Sequence, residues 1–406
     1  MHTLPKARFL SRTTPPNLFT LVLLAGISAL AMNVFLPSLP SMAAHFETSV
    51  AVMGLSVGVY LGVSAVLQLL IGPVSDNLGR RNVMLAALVV FCLATLGCIY
   101  APTTAVFLVF RMVQAAAAVC MVLSRAVVRD MVPAEQAGSM IAYVTMGMAV
   151  VPMIGPAVGG WLDEQFGWQA NFWLLLVLGL LTLAVTWADL GETARASSST
   201  LMQQFREYPE LLTSPRFWGY CLASAMGSGA FFAYLGGAPF VGSVVYGLDP
   251  AELGLYFGAP AIGYFLGNFL SGRFSVRMGI NTMVLWGVSL TTLGSVLSLL
   301  VTLAGYGSAV TFFGFMTLVG LGNGLSVPNA TAGMLSVRPH LAGTASGLGG
   351  AIMIGGGAGL SALAGLMLGP GTGPYPLLAI MALSSAGGIV AMILVIRRQR
   401  RLGLSL

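Results

Sequence analysis

Long apolar runs separated by short polar breaks make up most of this chain. Windows of about 20 apolar residues, the length that crosses roughly 30 Å of hydrocarbon, fall near 17–37, 50–72, 83–101, 104–126, 137–161, 170–189, 216–240, 251–271, 281–304, 308–335, 342–368 and 374–396. The pattern predicts an all-α integral membrane protein with twelve transmembrane helices, six in each half. One longer stretch breaks the rhythm: between 191 and 215 the composition turns to Ser, Gln, Glu and Arg. This gives an N-terminal six-helix bundle at 1–190, a linker at 191–215 and a C-terminal six-helix bundle at 216–406. Within the linker, Leu201, Met202, Phe205, Tyr208, Leu211 and Leu212 recur at helical spacings. They predict an interfacial helix lying on a membrane leaflet.

The two halves are copies. Gly72-Pro73-Val74-Ser75-Asp76-Asn77-Leu78-Gly79-Arg80-Arg81 returns in degraded form 200 positions later, as Gly272-Arg273-Phe274-Ser275-Val276-Arg277-Met278-Gly279. Upstream, Ala51, Gly54, Leu55 and Gly58 reappear as Ala251, Gly254, Leu255 and Gly258. The bundles are therefore expected to be pseudo-symmetric.

Composition agrees with the pattern. Charged residues make up 7% of the 406 and apolar residues 57%, and the mean hydropathy is +0.90, values outside the soluble range. Apart from Arg111 and Arg125, the cations lie on the side shared by the two termini, and the loops of the opposite side carry no Lys or Arg. The cation-rich side is expected to be the cytoplasm. The net charge of +6 then reflects topology, and no basic soluble face exists for nucleic acid. The first span lacks a small-residue cleavage site and reads as a retained anchor. Cys92, Cys98, Cys120 and Cys221 all fall inside spans, so neither disulfides nor a zinc site are expected.

The run from Gly72 to Arg81 resembles the motif Gly-x-Leu-Ala-Asp-x-x-Gly-Arg-Lys/Arg of the major facilitator superfamily, with Val74 and Ser75 at the Leu and Ala places. The resemblance implies a secondary transporter in which Asp76, Gly79, Arg80 and Arg81 gate the cytoplasmic side. It sets Asp76 against the start of span eleven near Leu341-Ala342-Gly343-Thr344, where a helix N-terminus carries about half a positive charge. Asp130, at the end of span four, is the expected partner of Arg80. Ordinary topogenic charge is the plainer reading of these residues.

Arg111 lies about seven residues into span four, where an unpaired guanidinium costs at least roughly 2.5 to 3.5 kcal/mol. Arg111-Met112-Val113-Gln114-Ala115 resembles the superfamily's Arg-x-x-Gln-Gly motif, which implies a coupling role for Arg111 and Gln114. The alternative is an arginine that only ties spans together. Gly147 with Gly155-Pro156-Ala157-Val158-Gly159-Gly160 resembles the antiporter motif of drug exporters, and a simple proline kink is the alternative. Asn33-Val34-Phe35-Leu36-Pro37-Ser38-Leu39-Pro40 and Arg338-Pro339-His340-Leu341-Ala342-Gly343-Thr344-Ala345-Ser346 are similar to signatures of the bicyclomycin and chloramphenicol resistance subfamily. Asn33 stands where relatives carry a titratable Asp. No carboxylate is expected near the midplane of any span, and Asn33 lies deep enough to hydrogen-bond Arg111.

Tyr60, Phe231, Tyr234, Tyr264 and Asn323, with Gln114, are the residues expected to line a substrate cavity between the halves. The implied function is export of small lipophilic compounds, such as drugs or antibiotics, from a bacterial inner membrane by proton-coupled alternating access. An uncoupled facilitator, or a carrier of an anionic metabolite held by Arg111, is the other reading. The expected partners are a small-molecule substrate, protons and membrane lipid, with the protein acting as a monomer. No cofactor, metal or nucleic acid is expected. The three histidines fit no His-Glu-x-x-His motif, and no phosphate-binding Gly-x-x-x-x-Gly-Lys-Ser/Thr loop occurs. An enzyme or an ATP-driven pump is therefore not indicated.

Overall fold

The computed structural model describes residues 9–131, 144, 151, 154–193, 208–338 and 341–403. Among them eleven helical segments are long and apolar enough to cross a membrane: Leu18–His45, Val50–Gly72, Arg80–Ile99, Thr104–Val128, Gln169–Asp189, Pro215–Val245, Pro250–Met278, Ile280–Leu303, Ala309–Val337, Thr344–Met367 and Tyr375–Arg401. These correspond to predicted spans one to four and six to twelve. Span five is described as a helix over 154–166 and at Val144 and Val151. Gly147 lies outside the described residues, and the described residues contain no strand.

Several helices start on side-chain caps at the positions where the apolar windows open. The Asn17 side chain accepts from Phe19 N, Ser49 from Val52 N, and Thr103 from Val106 N. Asp249 and Glu252 form a reciprocal capping box at the start of span eight, which satisfies two backbone donors that the helix leaves free.

Three details depart from the windows. Span one runs beyond 37: after the helix Leu18–Asn33 a tight turn at Leu36–Ser38 leads into a second helix, Leu39–His45, with Pro37 and Pro40 in the first turns. Proline is tolerated there because the first helical donors have no partner to lose. Span four is broken, Thr104–Gln114 then Ala117–Met131. Ala115 N and Ala116 N bond back only three residues, to Met112 O and Val113 O. The described end of the linker also differs from a leaflet-bound helix. Leu211 is fully buried in a cluster that includes Phe217, Val337 and Leu341 of the second half, and Tyr208 packs against that cluster, so this end docks on protein. Leu201, Met202 and Phe205 lie outside the described residues.

The duplication extends to backbone geometry. Gly79 and Gly279 both end a helix at positive φ, 89° and 84°, and the next helix starts immediately, at Arg80 and at Ile280. Only glycine enters that region without strain.

The ends of the helices carrying Arg80, Arg81, Arg277, Arg338 and Arg398 form a basic face. There the buried Asp189 carboxylate accepts from Leu10 N at 2.7 Å, Asn17 N at 2.8 Å and the Thr20 hydroxyl at 2.7 Å. The chain leading into span one is thereby fastened to the end of span six. Asp189→Ala is expected to lower stability by about 1–3 kcal/mol, the scale for stranding buried donors. Thermal unfolding in detergent reads the loss, and faster amide exchange over residues 10–20 localises it.

In the second half, Tyr220, Asn281 and Gln399 close a buried polar triangle across spans seven, nine and twelve. Tyr220 donates to Asn281 at 2.6 Å, Gln399 Nε2 donates to the Tyr220 oxygen at 3.0 Å, and Asn281 Nδ2 donates to Gln399 Oε1.

Candidate functional site

Arg111 is fully buried. Its guanidinium lies 4.3 Å from the Phe35 ring centroid and 4.6 Å from that of Tyr60. One nitrogen, Nη1, donates to Ala31 O at 3.2 Å and to Gln114 Oε1. Gln114 in turn donates to Thr95 Oγ1 at 2.8 Å, and Thr95 donates to Phe91 O at 2.7 Å. Two ring faces and two oxygen acceptors therefore solvate the charge, while Nε and Nη2 have no partner. Among the described residues no carboxylate pairs with it.

The expected bond between Asn33 and Arg111 is not formed. Asn33 Nδ2 turns back to Ala29 O of its own helix at 2.7 Å, and Arg111 takes the free carbonyl of Ala31 instead. Thr95, which completes this environment with Phe35, carries no sequence signal beyond its place in an apolar run, whereas Phe35 belongs to the signature quoted for the end of span one.

A small cavity opens where the two halves meet. The first half contributes Asn33 and Pro156, and the second half contributes Phe231, Tyr234, Leu235, Phe257, Pro260 and Ala261. Of the residues expected to line such a space, Phe231 and Tyr234 do so. Tyr60 belongs to the Arg111 environment, its hydroxyl donating to Ser28 O at 3.3 Å. Gln114 is bonded to Arg111, Asn323 Nδ2 donates to Val319 O at 3.0 Å, and Tyr264 packs by its backbone against Gly320 and Gly324.

Around this cavity the halves touch backbone to backbone. A Cβ on Gly160 would overlap the carbonyl oxygen of Pro250, and one on Gly254 would overlap that of Pro156. Spans five and eight thus cross through reciprocal glycine positions. A Cβ on Gly54 would lie 2.9 Å from Gly236 O, so spans two and seven also approach closely, though less so than spans five and eight. Gly159 faces its own half, with Val34 O in the place of its missing Cβ. A Cβ on Gly155 would be 3.3 Å from the side chain of Leu30, also in span one.

One titratable residue was not anticipated from the sequence. Asp163, just beyond the predicted end of span five, is 7% exposed and accepts from the Ser41 hydroxyl at 2.5 Å. Burial pushes its carboxyl above the ordinary carboxylate value, while hydrogen bonds from Ser41 and Ser38 pull the other way. Asn171 ties the same corner together, donating to Ser38 Oγ at 2.8 Å and to Gly159 O at 3.1 Å. Its only sequence signal was an acid closing an apolar span.

This geometry accompanies a family match. Residues 21–362 match the Major Facilitator Superfamily. The chain belongs to that superfamily. A chloramphenicol resistance protein of Pseudomonas aeruginosa is 31% identical over 78% of this chain and 76% of its own length. Multidrug resistance protein D of Escherichia coli K12 is 28% identical over 89% of this chain and 91% of its own. Among solved structures, a D-xylose-proton symporter superposes with a TM-score of 0.74 at 15% identity, covering 93% of this chain and 96% of that one. That likeness concerns the fold. As a member of the superfamily this protein is a multi-pass membrane transporter of small molecules, and it is not an enzyme.

The superfamily motif on the basic face is tied to the rest of the first half. Arg80 bridges two carboxylates, Asp76 Oδ1 at 3.1 Å from Nη2 and Asp130 Oδ2 at 2.5 Å from Nε. Arg81 Nε donates to Leu190 O at 2.8 Å and Nη2 to Trp187 O at 3.1 Å, which places a cation at the C-terminus of span six. Glu192 accepts from Arg80 N at 2.9 Å and Arg81 N at 3.3 Å, and a side chain on Gly79 would strike that carboxylate. The described ion pair of Asp76 is with Arg80. Residues 339–340, on the approach to span eleven, lie outside the described residues.

Proposed function

We propose that this superfamily member exports small lipophilic compounds, in the manner of a multidrug or antibiotic efflux pump. It works by alternating access between its two bundles, as a monomer in a bacterial inner membrane with both termini in the cytoplasm and lipid around it. The observation that carries the reading is the cavity between the halves, whose walls come from both bundles and are apolar and aromatic save for Asn33 and Tyr234. Such a surface suits hydrophobic ligands, and rocking of one bundle against the other opens it to either side. The relatives in Pseudomonas and Escherichia are named for chloramphenicol resistance and multidrug resistance.

Coupling to protons is part of the proposal. With Asn33 unable to titrate, the carboxylates we assign to it are Asp76 and Asp130 around Arg80, in the gating role, and Asp163 at the other end of the bundle. The anion-carrier reading gains nothing from the geometry, because Arg111 is sealed between Phe35 and Tyr60 and does not line the cavity.

The test is drug susceptibility of a sensitive host against an antibiotic panel, followed by proton flux in proteoliposomes. Raised resistance with drug-dependent proton movement supports the reading; unchanged susceptibility across the panel refutes it. Asp76→Asn is expected to express normally and to lose most of its transport, because Asp130 is then the one carboxylate paired with Arg80 among the described residues. Full transport by that variant removes the gate.

A further inference from the structure

We infer that the groove between spans seven and twelve at the basic face is a binding site for one anionic phospholipid, its phosphate held by Arg398 and Arg401 and an acyl chain laid along Leu222 and Leu394. The groove encloses about 490 Å³, within the roughly 300–1,000 Å³ of ligand pockets. Span seven starts at its rim with Pro215 and span twelve ends there with Arg401, so the two helices run antiparallel along it. They pass close together because Gly219 has no side chain: a Cβ there would overlap the side chain of Val395.

The lining changes with depth. Arg397, Arg398 and Arg401 stand at the mouth, and no acidic residue lines the groove. None of the described ion pairs involves these three arginines. Leu394 lies one helical turn deeper than Arg398, about 6 Å, and Leu222 about 10 Å beyond Pro215. Both leucines are exposed, 58% and 40%, so the apolar part of the groove opens to the surrounding bilayer. Trp218 stands between the two zones, its indole fixed by donating to Leu212 O at 2.7 Å; tryptophan anchors at headgroup level. Cations above an apolar slot repeat the order of a phospholipid, and an arginine fork matches phosphate oxygens in pairs. A zwitterionic lipid brings the same chains but also a cation of its own, which three guanidinium groups repel. Basic pockets between membrane helices at the cytoplasmic leaflet suit anionic headgroups for this reason. Arg400, on the same helix end, does not line the groove.

Native mass spectrometry of the purified protein in detergent tests this, with phosphatidylglycerol and phosphatidylethanolamine of identical acyl chains titrated separately. The wild-type protein is expected to retain a single phosphatidylglycerol at least about tenfold more tightly than phosphatidylethanolamine. Removing both charges in Arg398→Gln with Arg401→Gln is expected to weaken phosphatidylglycerol by about 25-fold, about fivefold for each arginine, and to leave phosphatidylethanolamine unchanged. Leu394→Trp fills the apolar part of the groove and is expected to weaken both lipids. Arg400→Gln and Arg277→Gln remove charge from the same face outside the groove and are expected to stay within about twofold of wild type.

Equal retention of the two lipids by the wild type overturns the site. So does an equal loss in Arg400→Gln or Arg277→Gln, which means that the whole basic face attracts anions diffusely. Paired chains that retain no lipid also overturn it, the groove then being an interface between copies. Should the double variant fail to fold, the wild-type comparison, Arg398→Gln alone and Leu394→Trp decide the matter.

Discussion

Gly160→Val is expected to stop transport while leaving each bundle folded. In the structure the missing Cβ of Gly160 leaves room for the carbonyl of Pro250, with its carbon 2.8 Å and Ala251 Cα 3.1 Å from where a Cβ would stand. These are backbone atoms of the other half and cannot rotate aside as a side-chain tip does. Overpacking of this kind costs about 1–3 kcal/mol, so the population with spans five and eight in contact falls roughly 5- to 150-fold. A cycle that must close there slows accordingly. Counterflow in proteoliposomes reads the rate, and alkylation of a cysteine placed at Asn33 reads the opening, which is expected to become faster from the side opposite the basic face. Gly159→Val makes the control. Its overlap is with Val34 O, inside the first bundle, so it is expected to lower thermal stability without selective opening. Normal counterflow by Gly160→Val means that this crossing does not need to close.

Arg111→Met is expected to abolish transport at little cost in stability. The buried guanidinium carries a penalty of at least about 2.5–3.5 kcal/mol. Two ring contacts at about 0.5–2 kcal/mol each and its hydrogen bonds to Ala31 and Gln114 offset that penalty, but Nε and Nη2 stay unmatched. A flexible apolar side chain of similar length fills the same slot without a charge to solvate, so thermal stability is expected to stay within about 2 kcal/mol of wild type. A position of no net value to the fold that still holds a charge is held there for function. Arg111→Lys is expected to fail as well, since a point ammonium lacks the planar fork that fits between two rings. Should Arg111→Met unfold the protein, the arginine is a structural tie; should it transport normally, the coupling role is lost.

The limits of sequence reading appear at particular residues. Asn33 and Arg111 were placed at matching depth from their positions along spans one and four, and both do lie in the core where those spans meet. Depth did not give the partner: Asn33 satisfies its amide on Ala29 O one turn back, and the tight turns at Ala115 and Ala116 follow no glycine or proline. Phe231 and Tyr234 line the cavity between the halves, whereas the Asn323 amide bonds back to Val319 O of its own helix and Tyr264 is not among the cavity's lining residues. Asp163 was passed over because it sits past the end of a span, yet Ser38, Ser41 and Asn171 gather around that corner.

The sequence by itself determined the all-helical membrane architecture, the duplication with its offset of 200, and the superfamily. Hydrocarbon admits only long apolar helices with their backbone bonds satisfied internally, and that demand is written residue by residue. Only the tertiary structure decided which side of each helix meets which neighbour. In a water-soluble bundle the apolar stripe reveals the buried face; in a membrane, lipid is as apolar as the core and the stripe vanishes. That Gly160 meets the other half while Gly159 meets its own, and that Arg111 is solvated by two rings with no acid beside it, follow from packing in three dimensions.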